Sequence, residues 1–225
     1  MANVRIIDVH QGVFEANDLV AAEVRAINKN NGTFMLNVMA SPGSGKTTLL
    51  MATLKELIKT NPEIKIGVME ADIDASVDAE KIATLGGNVR SIQVHTGGEC
   101  AMDAQMALEA INEFDTKDLD LLILENVGNL VCPAETDTGA DCKVVLLSVP
   151  EGDDKPLKYP LMFEVADIVL ITKTDTMSFF NFDREAVVKN IRMRNPNASI
   201  IFLSAKTGEG MTEWSNYLVS KLITA

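Results

Sequence analysis

Long hydrophobic runs are missing from this sequence: no stretch approaches the roughly 18 uninterrupted apolar residues that a membrane-spanning helix requires. The opening Met1-Ala2-Asn3-Val4-Arg5 also lacks the apolar core of a secretion signal. Both absences lead to the expectation of a cytoplasmic protein. Positive charge is short as well. Twenty Lys and Arg face 32 Asp and Glu, a formal net charge of −12, which leaves no basic surface of the kind nucleic-acid phosphates demand. Neither nucleic acid nor membrane is therefore an expected partner. Cysteine is scarce: three residues, an odd number without framework spacing, fit a reducing compartment and point to metal or thiol chemistry rather than disulfides. Internal repeats and low-complexity segments are also missing. What is present is the composition of an ordinary globular chain, 47% hydrophobic and 23% charged over 225 residues. That length suits one compact domain burying about 70% of its unfolded surface, so residues 1–225 are expected to form a single unit with 1–32 as an N-terminal arm and helix packed on it.

The most informative stretch runs from Thr33 to Thr48, where an apolar segment breaks into Ala40-Ser41-Pro42-Gly43-Ser44-Gly45-Lys46-Thr47-Thr48. This spacing matches a phosphate-binding loop, with Ala40 in place of the commoner first glycine. Successive backbone N–H groups must converge on phosphate oxygens, and Gly43 and Gly45 supply the small residues that such wrapping needs. Lys46 is placed to neutralise the outer phosphates, Thr47 to offer its hydroxyl to Mg²⁺, and the helix that begins there to point its positive end at the anion.

Hydrophobic periodicity organises the remainder. Val4–Val9 and Gly12–Phe14 read as a short extended arm, and Asn17–Asn30 as a helix closed by Gly32. Strands are expected at Lys65–Met69, Val89–Val94, Leu119–Leu124, Val144–Val149, Ile168–Ile171 and Ser199–Leu203, separated by helices at Ser76–Leu85, Ala101–Phe114, near Tyr159–Val165, and at Arg184–Met193 and Met211–Ile223. The fold class that follows is α/β, a three-layer P-loop arrangement with a mostly parallel sheet flanked by helices. Ligands of such sheets sit beyond the carboxyl ends of the strands. Glu70-Ala71-Asp72-Ile73-Asp74 follows the second strand and Glu125-Asn126-Val127-Gly128 the fourth, so Asp72 and Glu125 are candidate Mg²⁺ or water-positioning residues, with Asp74 and Asp78 read as helix caps. Lys46, Asp72 and Glu125 are the candidate catalytic set.

Two late strands end in Thr172-Lys173-Thr174-Asp175 and Ser204-Ala205-Lys206, which resemble the paired guanine-reading elements of GTPases. An ionised Asp175 offers two acceptors to the neighbouring donors on the N1 and N2 edge of guanine, where adenine presents an acceptor. Lys173 would lie along the base, and the Ala205 amide would bond the guanine carbonyl. Thr172 stands where asparagine is usual, and its hydroxyl lacks the two-ended pairing of an amide. The rival on the same phosphate loop is an ATPase or small-molecule kinase.

Three further strings carry a family resemblance: Thr96-Gly97-Gly98-Glu99-Cys100, Glu125-Asn126-Val127-Gly128-Asn129-Leu130-Val131-Cys132-Pro133, and Ser148-Val149-Pro150-Glu151-Gly152-Asp153-Asp154-Lys155-Pro156-Leu157-Lys158-Tyr159-Pro160. With the phosphate loop they make almost the whole chain similar to the HypB-type GTPases of NiFe-hydrogenase maturation, with the urease accessory GTPases as cousins. The resemblance implies GTP and GDP as ligands with Mg²⁺, low intrinsic turnover, and a GTP-bound homodimer whose interface holds Ni²⁺ or Zn²⁺ through Cys100 and Cys132. It also implies that Lys155 reaches a nucleotide across that interface, and that nickel-delivery accessory proteins and a hydrogenase large subunit or other metalloenzyme precursor are partners. The family's metal-site histidine is replaced by Ala101, and the sequence shows no cysteine-rich or histidine-rich N-terminal stretch, so neither nickel storage nor a high-affinity N-terminal site is expected. His95 near Cys100 reads as structural and Cys142 as a small hydrophobe. The alternative reading is a GTP-gated scaffold for another metalloenzyme that has lost nickel handling.

Overall fold

The computed structural model describes residues 9–72, 82–86 and 88–224. Among the described residues seven strands, β1 (Phe34–Ala40), β2 (Ile66–Asp72), β3 (Val89–His95), β4 (Leu121–Glu125), β5 (Cys142–Ser148), β6 (Ile168–Thr172) and β7 (Ser199–Phe202), form one sheet. Its order is β3-β2-β4-β1-β5-β6-β7 and every pairing is parallel. The central strands are near-continuous apolar runs because both faces of the sheet are covered.

Alternation along the strands sorts the core. One face, with Leu36, Val38, Ile123 and Leu146, packs against α2 (Lys46–Thr60) and α8 (Met211–Thr224). The indole N–H of the buried Trp214 donates to Thr53 Oγ1 at 2.9 Å, which ties those two helices together. On the other face, Met35, Leu122 and Leu124 meet Val24 of α1 (Val9–Asn31) and Ile111 and Phe114 of α3 (Ala104–Phe114). Further along that face Val145, Leu147 and Ile171 meet Met162 and Phe163 of α6 (Pro160–Glu164) and Val187 and Ile191 of α7 (Arg184–Arg194). Register is pinned at the amino ends of the strands by a repeated device. Asp120, Asp141 and Asp167, each beside the start of a strand, accept the N–H of Lys65, just before the neighbouring β2, and of Met35 and Lys143 on the neighbouring β1 and β5.

Three expectations change. Gly12–Phe14 is helical rather than extended, since α1 begins at Val9; one glycine inside a helix costs only about 1 kcal/mol, which a long docked helix offsets. Arg25 of that helix bonds both carboxylate oxygens of Asp137 at 3.2 and 3.0 Å. Burial alone would raise the Asp137 carboxyl, but the Gly139 N–H, Lys143 and Arg25 overcome it and hold it below the usual carboxylate range. The helix expected from Ala101 starts at Ala104, because Asp103 caps it by accepting the Met106 N–H and turns Ala101 and Met102 into buried positions. Two one-turn helices have no periodic signal to announce them, α4 (Cys132–Glu135) and α5 (Lys155–Lys158), each opened by a proline in its first turn. Residues 4–8 of the expected arm, and residues 73–81 with most of the expected Ser76–Leu85 helix, Asp74 and Asp78, lie outside the described residues.

Candidate functional site

The loop between β1 and α2 sits at the carboxyl edge of the sheet, at the strand that has β4 on one side and β5 on the other. Gly45 precedes α2 with φ of 98°, a left-handed conformation that a side chain would strain, and its carbonyl accepts the Leu49 N–H at 2.9 Å. Two cavities open beside it. One, of about 420 Å³, is lined by the phosphate loop with Lys46, Thr47 and Thr48 and by Glu70, Asp72, Glu125 and Gly128. The other, of about 240 Å³, is lined by Ser44, Gly45, Thr172, Lys173, Asp175 and Ser204 through Lys206.

The first cavity is acidic at its floor. Thr47 Oγ1 donates to Glu125 Oε1 at 3.0 Å. Glu70 and Glu125 are register partners on adjacent strands and both are only 5% exposed, whereas Asp72 lies at the exposed tip of β2. Two nearly buried carboxyl groups on neighbouring strands, next to a threonine hydroxyl, are a hard-oxygen donor set, and a divalent cation such as Mg²⁺ fits that chemistry. Glu70 is a residue that sequence reasoning passed over in favour of Asp72; strand register is what reveals it. Gly128 closes the wall. A Cβ there would stand 3.1 Å from Pro42, so the loop after β4 lies directly on the phosphate loop.

The second cavity brings together the residues that the sequence suggests for reading the base. The Thr207 N–H donates to Ser204 Oγ at 3.2 Å, and the Ser204 hydroxyl donates to Asp175 Oδ1 at 2.7 Å. Asp175 Oδ2 stands 4.0 Å from Lys206 Nζ, whose side chain is largely exposed. Lys173, held at φ of 59°, reaches across to donate to the Gly43 carbonyl at 2.7 Å. Thr172 is buried and its hydroxyl donates to the Ser44 carbonyl at 3.1 Å, so this residue fastens the phosphate loop to the end of β6. Lys155 lines neither cavity. Its ammonium lies 3.8 Å from Glu151 Oε1 and 4.9 Å from the centre of the Tyr159 ring.

Cys100 and Cys132 come together within one chain, Cα to Cα 6.1 Å, and are joined as a disulfide. This corrects the expectation that the cysteines form none. The reason is topological: β3 and β4 both flank β2, so the loops that leave their carboxyl ends meet although the two cysteines are 32 residues apart in sequence. A cavity of about 520 Å³ beside the pair is lined also by Ala101, Asp103, Glu99 and Asn17. His95 ends β3, exposed, opposite Asp72 in register. Cys142 is buried; desolvation, with Asp167 adding to it, pushes its thiol up to about 12.

Two asparagines that no motif logic selects join these parts. Asn126 is 1% exposed; its Oδ1 accepts the N–H of Met102 at 3.1 Å and of Val127 at 2.9 Å, and its Nδ2 donates to Asn37 Oδ1 on β1 at 3.2 Å. Asn129 Nδ2 donates to Cys132 Sγ at 3.1 Å and to the Cys100 carbonyl at 3.4 Å, while its Oδ1 accepts the Val131 N–H at 2.8 Å. A buried amide at the tip of a central strand, and a second three residues later in the same loop, are signals readable only with the topology in hand.

A parallel sheet in this order, a phosphate loop, an acidic cavity beside it and a second cavity containing Asp175 and Ser204 are the features of a P-loop GTPase. Residues 34–202 match the family described as CobW/HypB/UreG, nucleotide-binding domain. The hydrogenase maturation factor HypB of Azotobacter chroococcum is 45% identical over 93% of this chain and 67% of its own length. The crystal structure of HypB from Helicobacter pylori in complex with nickel superimposes with a TM-score of 0.84 at 38% identity, covering 93% of this chain and 96% of that one. HypB from Archaeoglobus fulgidus does so with a TM-score of 0.84 at 37% identity, over 92% and 99%. The chain belongs to the HypB hydrogenase maturation factors of that family.

Proposed function

We propose that this protein is a GTP-hydrolysing metallochaperone that assists nickel insertion during NiFe-hydrogenase maturation in the cytoplasm, working as a nucleotide-dependent homodimer. One observation carries the reading: a single loop, Glu125 to Cys132, supplies a carboxyl group to the phosphate cavity at one end and a sulfur to the cysteine pair at the other. A second tie runs through backbone alone, where the Thr96 N–H, at the start of the Cys100 loop, donates to the carbonyl of Asp72 at 3.2 Å. Contacts that appear or vanish at the γ-phosphate therefore act on segments that also hold sulfur, the arrangement a two-state switch requires.

In this reading the phosphate loop and Lys46 hold the phosphates, Thr47, Glu125 and Asp72 serve the Mg²⁺ and water positions, and Asp175 selects guanine. Cys100 and Cys132, once reduced, take Ni²⁺ or Zn²⁺; two chains brought together supply four thiolates, a set suited to tetrahedral Zn²⁺ or square-planar Ni²⁺. The apolar side chains of Val131, Leu157 and Leu161, 49%, 42% and 41% exposed, are available for the contact with a second copy. Lys155, on the same short helix as Leu157, then reaches the partner's nucleotide. The metal passes on to accessory proteins and to the precursor of the metalloenzyme. The test is a titration of the reduced protein with Ni²⁺ and Zn²⁺, with GDP or a non-hydrolysable GTP analogue, reading metal content and oligomeric mass. Stoichiometric binding that is lost in Cys100→Ala and Cys132→Ala, and a dimer fraction that depends on nucleotide, are expected. Equal dimer fraction and equal GTP turnover with and without metal would remove the coupling.

The disulfide supports a second reading, a GTP-gated scaffold whose cysteines brace the loops without carrying metal. The same titration separates the two, since the scaffold binds no metal through its cysteines even when reduced.

A further inference from the structure

We infer that Asn129 is the positioning residue of the cysteine pair: its side-chain amide donates to the sulfur of Cys132 and holds the Cys100 loop against it, setting the electron density of the thiolate presented to the metal. The inference rests on the metal-binding reading above. Its basis is an amide whose orientation the surroundings fix. The Val131 N–H can only donate, so the atom it meets at 2.8 Å must be Oδ1. Nδ2 is thereby directed at two acceptors, Cys132 Sγ at 3.1 Å and the Cys100 carbonyl at 3.4 Å, which belong to the two loops that have to meet. One planar group thus touches both cysteines and the backbone between itself and the second one.

An N–H donor aimed at sulfur has little to do for a neutral disulfide and much to do for a thiolate, where a charge-assisted bond stabilises the anion and withdraws electron density from it. Groups that hydrogen-bond a metal's ligands orient them and tune the metal, and their loss costs about 10- to 100-fold in affinity. Asn129 is also half-buried and lies only four residues after Glu125, so its amide travels with the loop that answers to the phosphate cavity. A serine or alanine at this position would leave the Cys100 loop without that tether.

The experiment uses the full reduced chain with Ni²⁺, comparing wild type, Asn129→Ala and Asn129→Asp. Aspartate is the discriminating isostere: it keeps an oxygen for the Val131 N–H and the shape of the side chain, and it removes the donor to sulfur. Two quantities are read, the wavelength of the thiolate-to-nickel charge-transfer band and the affinity in competition with a chelator. With the N–H···S bond gone the sulfur lone pair rises in energy, so the band moves to longer wavelength in both variants, and Asn129→Ala loses about tenfold or more in affinity. The added charge of the aspartate attracts the cation and itself raises the sulfur lone pair, so a shift counts for the inference only where the uncharged Asn129→Ala shows it too. A band at the wild-type position in Asn129→Asp, with only Asn129→Ala affected, overturns the inference and leaves Asn129 as a turn-forming residue. Absence of any cysteine-dependent band in wild type overturns the metal reading itself, and this inference with it.

Discussion

Replacing Asp175 by asparagine tests the guanine site, and the structure says which way the new amide will face. Ser204 Oγ already accepts the Thr207 N–H, so its own proton is committed outward to the side chain of Asp175. That proton needs an acceptor, and the amide introduced by Asp175→Asn satisfies it only by keeping its oxygen toward Ser204. The NH₂ then takes the place of Oδ2 and meets the base. Guanine presents N1–H and N2–H donors to that edge, so two charge-assisted hydrogen bonds, each worth about 1.5–3 kcal/mol, are replaced by one neutral bond at best and a donor facing a donor. The expected loss is at least about 3 kcal/mol, which is a rise of more than about a hundredfold in Kd for GTP and GDP alike. Xanthine nucleotides carry a carbonyl at the second of those positions and should gain affinity in the same variant. Binding of a fluorescent guanine nucleotide, competed with GTP, ATP and XTP, reads all of this. Retention of GTP affinity within about threefold, without a gain for XTP, would refute the orientation argument; equal affinity of wild type for GTP and ATP would refute the guanine assignment.

Other substitutions address single joints. Thr172→Val keeps the shape of a buried side chain and removes its hydrogen bond to the Ser44 carbonyl, a loss of about 1–3 kcal/mol. GTP and GDP should both weaken, by a similar factor on the order of tenfold, because the joint holds the phosphate loop rather than the γ-phosphate. Since Cys100 and Cys132 are bonded to each other, oxidised protein should take up no metal through them, and reduction should restore binding together with two titratable thiols. Cys142, whose thiol burial pushes from 9.0 to about 12, should resist thiol reagents in the native chain and react on unfolding. Its folded pKa is raised, so the native state favours the protonated form: that contribution is complete below pH 9 and is lost as pH climbs from 9 towards 12, at about 1.4 kcal/mol per pH unit. Denaturant midpoints of wild type and Cys142→Ala should converge across that range, and parallel curves would count against the assignment.

The parts of this molecule legible in the sequence are those fixed by short-range spacing. The phosphate loop is a run of consecutive residues, and the strands are apolar runs long enough to be recognised wherever the chain carries them. Position 125 is likewise local, since it directly follows a buried run. Thr172 shows where that logic stops: its place in the base-reading string is visible, but its bond to Ser44 joins residues 128 apart and depends on β6 lying two strands from β1. Glu70 stayed hidden for a related reason. Strand alternation alone does not say which acidic residue points at the neighbour's carboxylate; only the register of β2 against β4 does.

The cysteine pair is the strongest instance, because its existence is a property of strand order. Cys100 follows β3 and Cys132 follows β4, and these strands are never neighbours; β2 lies between them. The two loops meet because they lean over the end of β2, and that same strand end carries Asp72 into the phosphate cavity. The loop after β4 is flanked on its other side by the phosphate loop, with Gly128 against Pro42. Glu125 and Cys132 stand only seven positions apart, and between them Asn126 and Asn129 each commit a side-chain amide to the loop that carries Cys100. A segment so short, pinned at both ends and twice in between, has few ways to answer a movement at one end without moving the other. Interior packing of this kind tends to switch between discrete arrangements rather than deform smoothly. The coupling proposed between nucleotide and sulfur therefore needs no long pathway through the protein: β2, lying between the strands that bear the two cysteines, already brings the two loops to one strand end.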